Sequence, residues 1–503
     1  MKLISKGSGM LMAGVAAVVA SGLVAVPAGR AGTPQRTAEN ASAGCVPVPG
    51  AVCGTVRVPL VRARPGLGDI TVAYALIKHH DTSRPARGTV TINPGGPGDS
   101  AIASASTYAR MFGGLLQDHD LLLVDPRGVN RSDPVSCGAL SSLPATREEF
   151  VRTVGECGRT LGAGARGYTS AEIADDIDAV RAELGIARLD LIGESYGTYL
   201  MTVYAKRHPE RVRSLVLSSA YPLAVDMWGR PNARAARRAL RLVCERSAGA
   251  CDGDRVLRDT ARLAQRLRTR PVSYTLGGQR RRLDDTALAS IVYGLAKTAP
   301  AGLGDVPAMV SSALRSDTAM LIDAAQKTAP LSGSSLRQDD PQPFNPELAA
   351  TVVCNDYPTL WDRGAPVPLR LRQFAAGRAA LPERDYWPFG KRAWTSMSYD
   401  QGNTCVRWPD RHGPGQPTGG PFPDVPVLVT SGDLDANTPT ETGRQAARQF
   451  RRAAVVEVPN VGHVPEHEPS GCVAGIQTGF VRDLRVPDTS CLAEIPPSPV
   501  RRG

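Results

Sequence analysis

Short apolar runs set between turn residues alternate with stretches whose apolar positions recur every three or four residues. A mostly parallel sheet with helices between its strands is written this way. Val90-Thr91-Ile92 and Leu121-Leu122-Leu123-Val124 are each bounded by turn residues and read as buried central strands. Thr169-Ser170-Ala171-Glu172 has the form of a capping box; Ile173, Ile177, Val180 and Leu184 follow at helical spacing until Gly185 stops the helix. Residues 189–192 are the next strand, a glycine-bearing turn follows, and 196–206 continue as a helix. Leu215-Val216-Leu217 is a further strand. From 223 to 421 the alternation weakens and helical Arg/Ala/Leu patterns dominate, as expected of an inserted, mainly helical cap. The sheet pattern then resumes. Residues 425–430 read as a strand, Thr438-Pro439-Thr440-Glu441 as an N-cap with Pro at the first helical position, and 455–458 as the last strand. The expected core therefore occupies 44–222 and 422–495, and the Pro-rich tail from Pro496 reads as disordered.

Length supports this division, since 503 residues with 42% apolar content exceed the roughly 250–300 residues at which single cores stop growing. Lys2 and Lys6 precede an uncharged stretch, 7–29, with small residues around Ala28 and Ala31. Residues 1–31 thus read as a secretory signal peptide, and the mature chain as extracellular without a stable membrane anchor. A spanning helix is the rival reading, because the stretch nears the ~20 residues such a helix needs. Export makes disulfides reasonable for the ten cysteines, which fall into neighbouring couples. Pairing in order gives 45/53, 137/157, 244/251, 354/405 and 472/491, one of roughly 945 possibilities. Zinc ligation has no support, because no CxxC occurs and no His stands at finger spacing. The net charge of +11 comes without aromatic-rich recognition motifs, so no nucleic-acid partner is expected. The arginines from Arg230 to Arg282 read as a solvated helix surface.

The candidate chemistry centres on Gly193-Glu194-Ser195-Tyr196-Gly197. With 51 glycines in the chain, such a match is weak by itself. Its position between a buried strand and a helix gives it weight, because small neighbours permit the tight turn that exposes a nucleophilic hydroxyl. The N–H of Tyr196 is then free to face a developing oxyanion. In this architecture the acid and the His follow in that order. His463, in Asn460-Val461-Gly462-His463 after the last strand, is better placed as general base than His467. Pro465 rules out a helical zinc site built from His463, Glu466 and His467. Ser431-Gly432-Asp433-Leu434-Asp435 offers two acids; Asp435 is preferred, with Asp433 serving the turn. Asn93-Pro94-Gly95-Gly96-Pro97-Gly98 follows an early strand, and Gly96, ahead of Gly95, is the expected second oxyanion donor.

These residues resemble the secreted tripeptidyl and prolyl aminopeptidases, serine peptidases of the α/β-hydrolase fold. The resemblance rests on 93–98, on Asp125-Pro126-Arg127-Gly128 with Ser132 and Asp133, on 175–198, on 432–439, and on Val461-Gly462-His463. Cys354-Asn355-Asp356 and Cys405 with Trp408-Pro409 add to it. It implies Ser195 as nucleophile, Asp435 as acid, His463 as base, Gly96 and Tyr196 as the oxyanion hole, and a 354/405 disulfide. A Gly-Glu-Ser-Tyr sequence and an Asn-Gly-Gly-Pro-Gly loop also occur in serine carboxypeptidases, which the chain partly resembles. Glu194, and secondarily Asp356, are expected to read a substrate ammonium, with hydrogen bonding inside the core the plainer role for Glu194. The expected function is a secreted serine exopeptidase acting on peptides with a free N-terminus, without metal or cofactor. A carboxylesterase or lipase with the same triad, a serine carboxypeptidase-like exopeptidase and a catalytically silent binding protein are the alternatives.

Overall fold

The apolar runs pair into one eight-stranded sheet among the described residues. Its strands are β1 (Ala51–Pro59), β2 (Asp69–Ile77), β3 (Gly88–Asn93), β4 (His119–Val124), β5 (Leu189–Glu194), β6 (Val212–Ser218), β9 (Val427–Gly432) and β10 (Ala453–Val458). A separate hairpin is formed by β7 (Val272–Leu276) and β8 (Gln279–Leu283). The main sheet runs β1-β2-β4-β3-β5-β6-β9-β10, antiparallel at β1/β2 and β2/β4 and parallel elsewhere. The computed structural model describes residues 45–502 apart from 139, 141–145, 277, 299, 329–342, 398–401 and 410–416. The expected signal segment, 1–31, lies outside the described residues. Within them, no helix is long and apolar enough to cross a membrane.

Both faces of the sheet are covered, which is why its central strands are continuous apolar runs rather than alternating ones. Leu122, Val124, Leu191 and Leu217 belong to one apolar cluster, while Leu121, Leu123, Ile192 and Val216 belong to another on the opposite face. The helix Ser170–Glu183 begins as its capping box requires, with the Thr169 hydroxyl accepting from Glu172 N at 3.1 Å. A third cluster is built by the helices Arg230–Glu245, Gly253–Thr269, Asp285–Thr298 and Val306–Leu314, and forms the body of the cap. The later part of 223–421 packs differently. Leu348, Val352, Val353, Phe374, Val406 and Trp408 lie in the same cluster as the core helices.

All ten cysteines pair as neighbours in sequence: 45–53, 137–157, 244–251, 354–405 and 472–491. Three local expectations change. Arg280, Arg281 and Arg282 lie on strand β8, opposite Thr275, Tyr274 and Ser273, not on a helix surface. Thr438 does not cap a helix: the helix is Thr440–Ala447, and the Thr438 hydroxyl is taken by Asp435. The tail from Pro496 is irregular because its prolines lack donors, yet it is docked. Arg501 N donates to Gly304 O at 2.9 Å, and Val500 packs against the cap cluster.

Candidate active site

β5 ends at Glu194 and a helix begins at Tyr196, so Ser195 must reverse the chain in one residue. It does so at φ 54° and ψ −120°, a left-handed strain that a non-glycine residue keeps only where its surroundings impose it. The flanking glycines are part of that imposition. A Cβ on Gly193 would collide with the Gly197 carbonyl, and one on Gly197 with the Asn93 carbonyl. The backbone is fastened by Ser195 N donating to Ser218 O at 3.0 Å and Thr198 N donating to Ser195 O at 3.0 Å. The partly exposed hydroxyl stands at the C-terminal edge of the sheet.

The acid loop follows β9 and the His loop follows β10, which is parallel to it, so both loops emerge at that same edge. Asp435 is fully buried, and its Oδ2 lies 2.9 Å from His463 Nδ1. The same oxygen accepts from Thr438 Oγ1 at 2.8 Å and from Ser219 Oγ at 3.0 Å. Its Oδ1 accepts from the main-chain N–H groups of Asn437 at 2.7 Å and Thr438 at 3.0 Å. Burial pushes the Asp435 carboxyl up, but His463 and the Thr438 donors outweigh it and hold it below the usual carboxylate range. An ionised Asp435 fixes hydrogen on His463 Nδ1, leaving Nε2 as the acceptor nitrogen. Asp433 lies on the same loop and is spent on structure: it pairs with Arg246 at 2.6 Å and accepts from Asn460 N at 2.9 Å.

Two main-chain N–H groups of the elbow and the glycine loop beside it are left over. Tyr196 N, first in its helix, has no donor role among the described residues, and neither does Gly96 N. Gly95 N is taken by Asn93 Oδ1 at 3.1 Å. A Cβ on Gly95 would stand 2.6 Å from Glu194 O and 3.1 Å from Ser195 Cβ, so only glycine lets the two loops touch. The glycine loop is tied down by Asp125, whose Oδ1 accepts from Ser100 Oγ at 2.7 Å and Ile102 N at 2.9 Å. Arg127 next to it holds Asp176 in a bidentate pair, with both contacts at 2.6 Å.

The two acids expected to meet a substrate amine lie beneath this surface. Glu194 is 3% exposed and accepts from Tyr108 Oη at 2.9 Å. Asp356 is buried and accepts from Ser170 N at 2.6 Å, while Ser170 Oγ meets Tyr196 Oη at 2.7 Å. Both support the elbow from inside rather than face the cleft. His467 is largely exposed, 3.7 Å from Glu194 Oε2, and does not meet Asp435.

Ser219, Asn437 and Tyr293 at the site carry no motif in the sequence. Ser219 sits at φ 56° directly after β6, and besides holding Asp435 it accepts from Val464 N at 2.8 Å. The Asn437 Nδ2 group lies 3.1 Å from His463 Nε2. Its Oδ1 accepts from Tyr293 Oη of the cap at 2.5 Å. In the described structure His463 Nε2 is therefore occupied by Asn437, with no hydrogen bond from Ser195 Oγ to it.

A family model described as alpha/beta hydrolase fold matches residues 88–270, which include the 93–98 glycine loop, the elbow and its strands. The chain has the α/β-hydrolase fold. A second model, described as TAP-like protein, matches residues 391–491 and takes in the acid and His loops. The chain is similar to the tripeptidyl aminopeptidase of Streptomyces coelicolor, 30% identical over 200 residues that make up 36% of this chain and 37% of the relative. It is also similar to the serine protease Hip1 of Mycobacterium tuberculosis, 35% identical over 190 residues, 34% of this chain and 36% of the relative. A proline iminopeptidase of Neisseria gonorrhoeae is 31% identical over 101 residues, covering 20% of this α/β hydrolase and 24% of that relative. The matches to the first two span little more than a third of those relatives' length.

Proposed function

We propose that this α/β hydrolase is a secreted serine exopeptidase that cleaves peptide bonds near a free amino terminus through an acyl-enzyme on Ser195. The observation that carries the reading is the pairing of buried, ionised Asp435 with His463 Nδ1 at the sheet edge where Ser195 is exposed on its elbow. Ser195 Oγ attacks the scissile carbonyl carbon as His463 Nε2 takes its proton, once the Asn437 amide has moved aside. The carbonyl oxygen, now negative, receives the N–H groups of Tyr196 and Gly96. His463 returns the proton to the departing amine, and the C–N bond breaks to leave the acyl-enzyme. Water then attacks that ester, losing its proton to His463, and Ser195 leaves with it. Every step uses these protein groups and water. The names of the relatives, tripeptidyl aminopeptidase and proline iminopeptidase, support peptides with a free amino terminus as substrates.

A panel of tripeptide anilides, their N-acetylated forms and acyl nitrophenyl esters tests this reading. Free peptides should be turned over faster than blocked ones by at least about tenfold in kcat/KM, the scale of a lost hydrogen bond to a charged group. Ser195→Ala should abolish turnover and labelling by a fluorophosphonate while leaving the thermal unfolding transition in place. Equal cleavage of free and blocked peptides would remove the aminopeptidase assignment, and fast ester cleavage without peptide cleavage would favour an esterase.

A further inference from the structure

The oxyanion loop carries one acid that the chemistry above does not use. Asp99 follows Gly98, and its main chain is fixed on both sides. Asp99 N donates to Gly95 O at 3.3 Å, Asn345 N donates to Gly98 O at 2.9 Å, and Ser100 N donates to Pro343 O at 2.8 Å. A β-bridge joins Asp99 to Phe344. The segment is pinned between the core and the 343–345 stretch, so the position of its side chain is set by rigid backbone.

The carboxylate itself is left over. Among the described residues it accepts no hydrogen bond and joins no ion pair, and it is only partly buried. One of its oxygens would lie 3.1 Å from a Cβ built on Gly96, which puts the acid against the glycine whose N–H faces the oxyanion position. Two charged groups face it. Glu194 at the end of β5 and Lys297 on the helix Asp285–Thr298 of the cap both act on it electrostatically, and Lys297 acts on Asp435 as well. Burial pushes the Asp99 carboxyl up to about 6, with Lys297 opposing and Glu194 adding to the shift. At neutral pH it is therefore mostly an anion in a place where water is restricted. An anion so placed is stabilised by an arriving cation.

We propose that Asp99 is the specificity residue that binds the free amino terminus of the substrate. The inference rests on the aminopeptidase reading above and supplies its missing contact, since Glu194 and Asp356 are both engaged below the site floor. The ammonium donates to the Asp99 carboxylate while the scissile carbonyl oxygen occupies the Gly96 and Tyr196 N–H groups. Binding and catalysis then share one loop, and an N-acylated peptide leaves Asp99 without its donor.

The test is the ratio of kcat/KM for a free tripeptide anilide to that for its N-acetyl form, measured in wild type, Asp99→Asn and Asp99→Glu. The wild-type ratio should be at least about tenfold, should fall close to one in Asp99→Asn, and should be partly restored in Asp99→Glu, within the range expected of a charged hydrogen bond. Fluorophosphonate labelling of Ser195 verifies that each variant is folded; if Asp99→Asn does not label, Asp99→Ser is read the same way. A wild type that discriminates alongside an Asp99→Asn variant that discriminates equally overturns the assignment while leaving the aminopeptidase reading intact. An equal fall in kcat/KM for both substrates, with the ratio unchanged, overturns it in favour of a structural role. A wild type without preference removes the aminopeptidase reading itself, and a preference for peptides with a free carboxylate would assign the charge recognition to Lys297 instead.

Discussion

Beside Ser195, Glu194 and Glu466 are two buried acids that act on one another electrostatically. Ser218 Oγ donates to Glu466, Tyr108 Oη donates to Glu194, and one oxygen of each acid, Oε1 in both cases, has no partner among the described residues. Burial first, and then the charge of Glu194, pushes the Glu466 carboxyl up to about 8 from its ordinary 4.5. The native state thus holds this proton more tightly than the unfolded chain does. The resulting stabilisation is complete below about pH 4.5 and is lost as pH rises toward about 8. Glu466→Gln, which keeps the shape and removes the acid, should therefore gain thermal stability relative to wild type between pH 6 and pH 9. Parallel Tm curves across that interval would show that Glu466 is not protonated in the native state. None of this is legible in the sequence, where Glu466 stands out only as the middle of a broken zinc pattern. Ser195, Asp435 and His463 are legible because chain order and strand-end position restrict the choice to a few residues. Asp99 is not, since an aspartate after a Gly/Pro run reads as an ordinary turn residue. Its meaning comes from the cap lysine and the 343–345 segment, which only the fold brings near.

At the level of elements, the acid loop is where cap and core meet. Leu434 and Ala436 pack in the cap's apolar cluster, Asn232 Nδ2 donates to Asn437 O at 2.6 Å, and Tyr293 fixes the Asn437 side chain. The cap thereby reaches His463 Nε2 through the Asn437 amide. Asn437→Ala removes the donor on His463 Nε2 while Nδ1 stays held by Asp435 and Thr438. Ser195 should then label faster with a fluorophosphonate, by about two- to tenfold, the equivalent of a neutral hydrogen bond of about 0.5–1.5 kcal/mol. An unchanged or slower rate would mean that the amide supports the imidazole instead of occupying it. Element-level structure was otherwise readable from pattern: the runs at 90–92, 121–124 and 215–217 fall inside β3, β4 and β6 because buried parallel strands have to be apolar on both faces. The arginines of β8 were unreadable for the opposite reason. A half-exposed hairpin and a solvated helix can carry the same charge density, and three consecutive arginines show no period of their own.

Across the whole molecule, the boundary of the cap follows packing rather than chain order. The helix Pro346–Asp356 and the Cys405–Trp408 segment belong by sequence to the insertion, but they pack with the core, where Asn355 Nδ2 donates to Ala165 O at 2.8 Å and to Tyr168 O at 2.9 Å. The Cys354–Cys405 disulfide closes the longest of the five loops, with a sequence separation of 51, whereas Cys244–Cys251 spans 7. Loop-closure entropy grows with the logarithm of loop length, so the two bridges should stabilise the fold by about 4 and about 2 kcal/mol respectively. The longer one also holds Cys354, two residues before the Asp356 that accepts from Ser170 under Tyr196. Replacing Cys354 and Cys405 together by serine should lower the denaturant midpoint more than the same change at Cys244 and Cys251. It should also reduce fluorophosphonate labelling of Ser195 at temperatures where the fold persists, because the support of the elbow loosens. The Cys244–Cys251 variant lies within the cap cluster and should lose stability with the labelling rate preserved. Equal midpoints for the two variants would contradict the loop-length argument, and equal labelling would detach the bridge from the site.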